Sequence, residues 1–301
     1  MDTYRLQVFL ECVRLKNFSR AAEVLHISQP SISLHIRDLE KWCGATLFER
    51  RGRRVEPTEA GRRLKEHARR LLADLDTARQ DVQEVDGLVR GRLAVGGSGL
   101  PGTYMLPKAL SMFKSLYPKL DIYMNFGVSS HVEQLLQEDV VEIAMFSREP
   151  KGRGLLSEAY GTSEMVIAAP PGHPLAAKRA VSLKDLVREP FVLREPESAG
   201  GELVRDYFSR RDMTIKVAME LSSHEAIKVA VAEGLGVTAI ARRWLANELA
   251  LKQIAVVKVP EFKLAIVHWI VQRKGRLLSR AAKTFLEFLS DRKTEMRKLL
   301  S

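Results

Sequence analysis

Between residues 28 and 40 the chain reads SQPSISLHIRDLE. Gln29, Ser33 and Arg37 recur one helical turn apart, so on a helix they form a row of hydrogen-bonding groups along one side. Ile32, Ile36 and Leu39 fall on the other. A rigid row of this kind can read base edges in a DNA major groove: Gln pairs with adenine, while Arg and Ser meet bases or phosphates. For an isolated amphipathic helix a solvated polar face is the simpler reading, so the elements around the row decide what it is for.

Those elements come in a telling order. A first helix is expected over Asp2–Leu15, with Leu6, Phe9, Leu10 and Val13 on one face. Ser19 is read as the cap of a second helix, Arg20–Leu25, and Ser28 as the cap of the third, where Pro30 sits harmlessly in the first turn. Ile32, Ile36 and Leu39 would then pack on Phe9, Phe18, Ala22 and Leu25. Residues 47–55, LFERRGRRV, read as two short strands around a glycine. Arg50, Arg51, Arg53 and Arg54 cluster there, a compact source of phosphate contacts that add salt-dependent affinity and little sequence information. Helix, helix, turn, helix and basic hairpin is the order of an all-α winged helix-turn-helix domain, here residues 1–58. Its candidate DNA contacts are Gln29, Pro30, Ser31, Ser33, Arg37, Arg50, Arg51 and Arg53.

From Thr58 to Val89 no proline interrupts a helical pattern. Leu64, Ala68, Leu71, Leu75, Ala78, Val82, Val85 and Val89 are spaced alternately four and three apart, the seam of a coiled coil. Residues 59–90 are therefore expected to be a linker helix along which two copies of the chain meet, with Leu64, Ala68, Leu71, Leu75, Ala78 and Val82 at the contact.

Beyond residue 91 short apolar runs alternate with helical segments, which implies α/β architecture with parallel strands. The pattern runs twice, giving two subdomains, 91–164 with 268–301 and 165–267. A ligand between such halves meets strand C-termini and helix N-termini, where free amides and the helix dipole favour anions. The strand over 92–97 leads to Ser98 and Thr103, and the strand ending near Gly127 leads to Ser129, Ser130 and His131. Ser147 follows the next strand, and Arg194, Ser198 and Thr238 occupy matching ends in the second half. These residues predict a site for a small, anionic metabolite bearing hydroxyl or carboxylate groups.

Composition bounds the remaining possibilities. The formal charge of +11 is carried by the two ends, with fifteen Lys/Arg against nine Asp/Glu in residues 1–70 and nine against three in residues 273–298. A polyanion partner is thus expected at the N-terminal domain, while the second basic cluster reads as a solvated helix face. Cys12 and Cys43 are the two cysteines, and the seven histidines lack ligand spacing, so neither a metal nor any cofactor is expected. With no cysteine after residue 43, a thiol-based peroxide sensor is disfavoured. No apolar run is long enough to span a bilayer and the N-terminus lacks the order of a signal peptide, so a cytoplasmic protein without a membrane partner is expected.

Enzyme motifs fail on context. GLGVTA at 234–239 follows a helix and opens a strand, the reverse of a dinucleotide fingerprint, and Gly234 reads as a helix C-cap. There is no phosphate-binding loop, and around Gly97-Ser98-Gly99 the nucleophile-elbow pattern is incomplete, with Leu100 where the second glycine would stand. A solute-binding protein with an accessory domain is the alternative from another class, and a gel-shift assay separates it.

The stretches NFSRAAEVL (17–25), SQPSIS (28–33), IRDLE (36–40), LFER (47–50) and TEAG (58–61) stand in the order and spacing of the LysR-type transcriptional regulators, which the chain resembles throughout. HEAIKVAVAEGLGV (224–237) is similar to a stretch of that family's effector domain. The resemblance implies a winged helix-turn-helix, a linker helix and a two-subdomain effector domain like periplasmic binding proteins. It also implies double-stranded operator DNA and RNA polymerase as partners, and assembly as a homodimer or a homotetramer of two dimers. Residues 102–107, GTYMLP, point to the branch regulating carbon, sulfur or nitrogen assimilation. Two positions depart from the family: Leu34 stands where a basic residue is common, and His35 where an amide is common.

Overall fold

The computed structural model describes residues 2–51, 54–83, 91–152 and 154–300. The chain divides into two compact units, Met1–Leu88 with Gly275–Arg280, and Val89–Lys274 with Ala281–Ser301. No helix among the described residues is long and apolar enough to cross a membrane.

The first unit opens with α1 (Thr3–Leu15), capped by Asp2, whose carboxylate accepts from the Arg5 amide at 2.9 Å. Helix α2 (Phe18–Leu25) starts two residues before the expected position, because Asn17 caps it in place of Ser19. Asn17 is extended, and its Oδ1 accepts from the amides of Ser19 and Arg20 at 2.9 and 3.1 Å, satisfying two donors that the helix leaves orphaned. Helix α3 (Gln29–Cys43) is capped by Ser28 as expected, with Oγ accepting from the Ser31 amide at 3.2 Å. Leu6, Phe9, Ile32, Ile36, Leu39 and Leu47 form the buried core, each contributing about 1.5–3 kcal/mol.

Strands β1 (Phe48–Arg51) and β2 (Arg54–Pro57) pair antiparallel, with Arg51 opposite Arg54. Thr58 then caps α4 (Glu59–Gln83), accepting from the Gly61 amide at 3.0 Å. Ala68 is buried in the chain's own core and Leu64 and Leu72 pack against it, whereas Leu71, Leu75 and Ala78 are exposed. The N-terminal part of the heptad stripe therefore already has a partner within the chain. The Val82 side chain, Val85 and Val89 lie outside the described residues.

The rest of the chain holds β3 (Gly91–Gly97), α5 (Leu106–Leu116), β4 (Leu120–Phe126), α6 (Ser129–Gln137), β5 (Ile143–Phe146), β6 (Leu155–Ala169), α7 (Leu183–Leu186) and β7 (Pro190–Arg194). It continues with α8 (Ala199–Ser209), β8 (Lys216–Leu221), α9 (His224–Ala232), β9 (Thr238–Ala241), α10 (Ala246–Ala250), β10 (Ala255–Val257), β11 (Leu264–Arg273), α11 (Arg280–Asp291) and α12 (Lys293–Lys298). β3 pairs in parallel with β4 and β5, and β7 in parallel with β8, as crossover helices require. The sheet is nonetheless mixed. β6 and β11 form a long antiparallel ribbon, from Leu264 opposite Met165 to Arg273 opposite Leu155, with a register shift between His268 and Trp269. One end of the ribbon pairs with β5 and the other with β9 and β10, so it runs through both halves of the fold.

Close backbone approach shapes the end of β3. A Cβ on Gly97 would lie 2.7 Å from the Gly102 Cα, in the π-helical turn Pro101–Met105 that precedes α5. Gly99 has φ +57° and a Cβ there would lie 2.8 Å from Ser147 Oγ, so two reasons exclude a side chain at this position.

Candidate functional site

In the first unit, α3 is held from behind. Ile32, Ile36 and Leu39 are buried, Arg5 pairs with Asp38 at 3.0 Å, and the Tyr4 ring meets His35 edge-on. Gln29, Pro30 and Arg37 are exposed and Ser33 half-buried, so the polar row stands on the outer side. Gln29 Nε2 donates to Ser33 Oγ at 2.9 Å, and Ser31 Oγ lies 2.8 Å from Ser28 Oγ at the start of the helix. Leu34 is exposed beside the row, an apolar group available to a thymine methyl. The backbones of Arg50 and Arg51 lie in β1, and Arg53 lies outside the described residues. Cys12 is buried, which pushes its thiol up to about 12, and Cys43 is half-buried with its thiol raised for the same reason, so both are protonated.

In the second unit a cavity of about 590 Å³ is lined by Ser98, Thr103, Ser129, Ser130, Ser147, Arg194, Ser198 and Thr238. His131, also expected there, is exposed and does not line it. It lies one residue into α6 beyond the two serines that do, and its ring instead lies against Gly127. The starts of α6, α8 and α9 supply Ser129, Ala199 and His224 to the wall, so first-turn amides converge on the same space.

The hydroxyls differ in what they have left to offer. Ser98 and Ser129 share a hydrogen bond at 2.8 Å. Ser198 accepts from the Gly201 amide at 3.0 Å and donates to the Glu195 carbonyl at 2.8 Å, so it serves first as the cap of α8. Arg194 donates to the Ser222 carbonyl and pairs with Glu195 at 2.9 Å. Burial holds its guanidinium below the usual range, opposed by Glu195, and its buried Nε has no partner among the described residues.

Other parts of the wall carry no signal in spacing or composition. His224 stacks on Trp244, ring centroids 4.0 Å apart and planes 11° from parallel, and both line the cavity. Burial pushes His224 down to about 3, with Arg194 and Lys228 adding to the shift, so the ring is a neutral aromatic plate. Trp244 sits in a short 3-10 turn after β9, and Phe126 closes β4.

Two family models cover the chain. The bacterial regulatory helix-turn-helix protein, lysR family, matches residues 4–62, and the LysR substrate binding domain matches residues 86–294. The RuBisCO operon transcriptional regulator of Allochromatium vinosum is 32% identical over 285 residues, covering 95% of this chain and 94% of that protein. The HTH-type transcriptional activator CmpR of Synechocystis is 30% identical over 286 residues, covering 95% and 94%. Among solved structures, a full-length OxyR variant from Pseudomonas aeruginosa matches with a TM-score of 0.73 at 21% identity, over 97% of this chain and 94% of that one. That last likeness is one of fold.

Proposed function

The chain belongs to the LysR family of transcriptional regulators, and on that premise we propose that it binds operator DNA through α3 and β1–β2 under the control of a small anionic metabolite. Residues 1–58 read DNA, residues 59–90 link and dimerise, and residues 91–301 bind the effector in the cavity at Ser98. The observation that carries this reading is the convergence of separate hydroxyls and helix starts, from both runs of α/β elements, on one cavity. A carboxylate or phosphate held by first-turn amides fits it. No enzymatic role is assigned.

We assign dimerisation to Leu71 and Leu75, whose exposure gives α4 an apolar stripe that no described residue covers fully. Two dimers per tetramer is the corresponding assembly, in the cytoplasm where the DNA is. Carbon assimilation is the branch of metabolism that the name of the Allochromatium relative favours.

The test is a reporter strain carrying Ser98→Ala or Thr103→Ala. Both variants should lose the response to the effector while binding operator DNA like the parent. Normal responses from both would place the ligand elsewhere.

A further inference from the structure

At Ser147 the cavity wall joins a chain of hydrogen bonds that leads away from the ligand space. Ser147 Oγ lies 3.0 Å from His268 Nδ1, and Ser163 Oγ lies 2.6 Å from His268 Nε2. Ser163 Oγ also meets the carbonyl oxygen of Leu300, beyond α12. The three side chains come from the end of β5, from β6 and from β11, and His268 occupies the point where the β6–β11 register shifts. The register there passes from Gly161 opposite His268 to Ala159 opposite Trp269, which leaves Tyr160 of β6 as the extra residue.

The direction of every bond follows from the far end. A carbonyl oxygen only accepts, so the Ser163 hydroxyl commits its one proton to Leu300 and must accept from His268. His268 is fully buried between two hydroxyls, with no carboxylate in ion-pairing distance among the described residues. Burial pushes the ring down to about 4, so near neutral pH it holds a single proton. That proton is on Nε2, facing Ser163, and Nδ1 keeps its lone pair. Ser147 must then donate to Nδ1, which leaves only lone pairs on its oxygen for the cavity it lines. Thr103 is committed in the same sense, donating to the Gly99 carbonyl at 2.9 Å.

The ligand space is thus polarised. Its helix-start amides are donors that suit an acid group, whereas Ser147 and Thr103 are acceptors that need a donor from the ligand. We propose that Ser147 is an acceptor-only specificity position, locked by Ser163 through His268, and that the cavity selects small acids carrying a hydroxyl or ammonium group over the same acids without one. This deepens the effector-site reading and rests on it. Ser163 and His268 act as positioning residues, since neither lines the cavity.

Histidine labelled with nitrogen-15 in the full-length chain reads the lock without any ligand. His268, assigned by comparison with a His268→Gln variant, should show a protonated Nε2 and a bare Nδ1 at neutral pH. The Nδ1–H tautomer, or a doubly protonated ring, overturns the proposal. Titration with succinate, malate and aspartate, which differ only at one carbon, reads the selectivity. At least one of malate and aspartate should bind about tenfold tighter than succinate, the equivalent of one hydrogen bond, and the better of the two identifies hydroxyl or ammonium. Ser163→Ala should bring that ratio toward one while leaving succinate unchanged. Equal behaviour of all three acids on the parent protein, bound or unbound, overturns the ligand class, and an unchanged ratio in Ser163→Ala overturns the lock. Failure of the effector-site reading itself would show separately, as normal reporter responses from Ser98→Ala and Thr103→Ala.

Discussion

Gln29 donates through Nε2 to Ser33 Oγ across 2.9 Å, one turn along α3, so the first side chain of the exposed polar row is oriented by the protein itself. The bond uses one of the two amide protons, leaving the other proton and Oε1 for the paired donor and acceptor of an adenine edge. Ordering a long side chain in advance removes about 0.5–1.5 kcal/mol of the entropy that binding would otherwise cost.

Gln29→Ala should therefore weaken binding to the cognate site by about 1–3 kcal/mol and weaken binding to random DNA far less. Fluorescence anisotropy on both duplexes measures the difference. Equal losses would remove Gln29 from base readout.

Arg53 tests the other half of the DNA surface. It lies outside the described residues, between β1 and β2 in the sequence, and a phosphate contact carries no sequence information. Arg53→Ala should weaken specific and random duplexes alike and reduce the slope of log affinity against log salt by about 0.9. A loss confined to the cognate duplex would make Arg53 a base-reading residue.

The two sides of α3 are legible in the sequence because the polar row has the period of a helix and its opposite side is apolar. The cap of α2 was misread because Asn17 and Ser19 are both good capping residues, and spacing alone does not say which one is extended. The stripe on α4 carries a similar ambiguity: periodicity reports an apolar seam without reporting what covers it, and Ala68 is covered by the chain's own core. The N-terminal part of β6 escaped detection because LLSEAYGTSE is neither apolar nor regularly alternating, and its partner β11 is distant in sequence. The cavity hydroxyls were legible from their places at strand ends, whereas His224 and Trp244 meet only through the tertiary fold.

Leu71 and Leu75 are 45% and 51% exposed in the chain. Leu71→Glu or Leu75→Glu should leave the fold of each chain intact, because no core loses a side chain, and should produce monomers by burying charge in the seam. Sedimentation velocity with circular dichroism reads both outcomes. An unchanged dimer would put the association surface elsewhere.

Buried histidines set a pH dependence. Burial is the first cause that pushes His268 to about 4 and His224 to about 3, from an ordinary 6.5. Between these values and 6.5 the unfolded chain holds protons that the folded chain does not. Stability is therefore fully present above 6.5 and falls as the pH drops toward the folded values. Urea unfolding between pH 7 and 5 should show this decline, and His268→Asn should make it shallower. A parent protein equally stable at both pH values would contradict the burial of neutral imidazoles.

Recognition of a particular DNA sequence is the role on which the other assignments depend. Fragments of the source genome can be selected by the full-length protein, and the enriched duplex compared by anisotropy with a shuffled duplex of the same composition at physiological salt. A preference on the order of a thousandfold or more for the selected duplex is expected. Equal affinity for both would show that α3 and the basic hairpin hold DNA by charge alone, contradicting sequence readout by the row at Gln29.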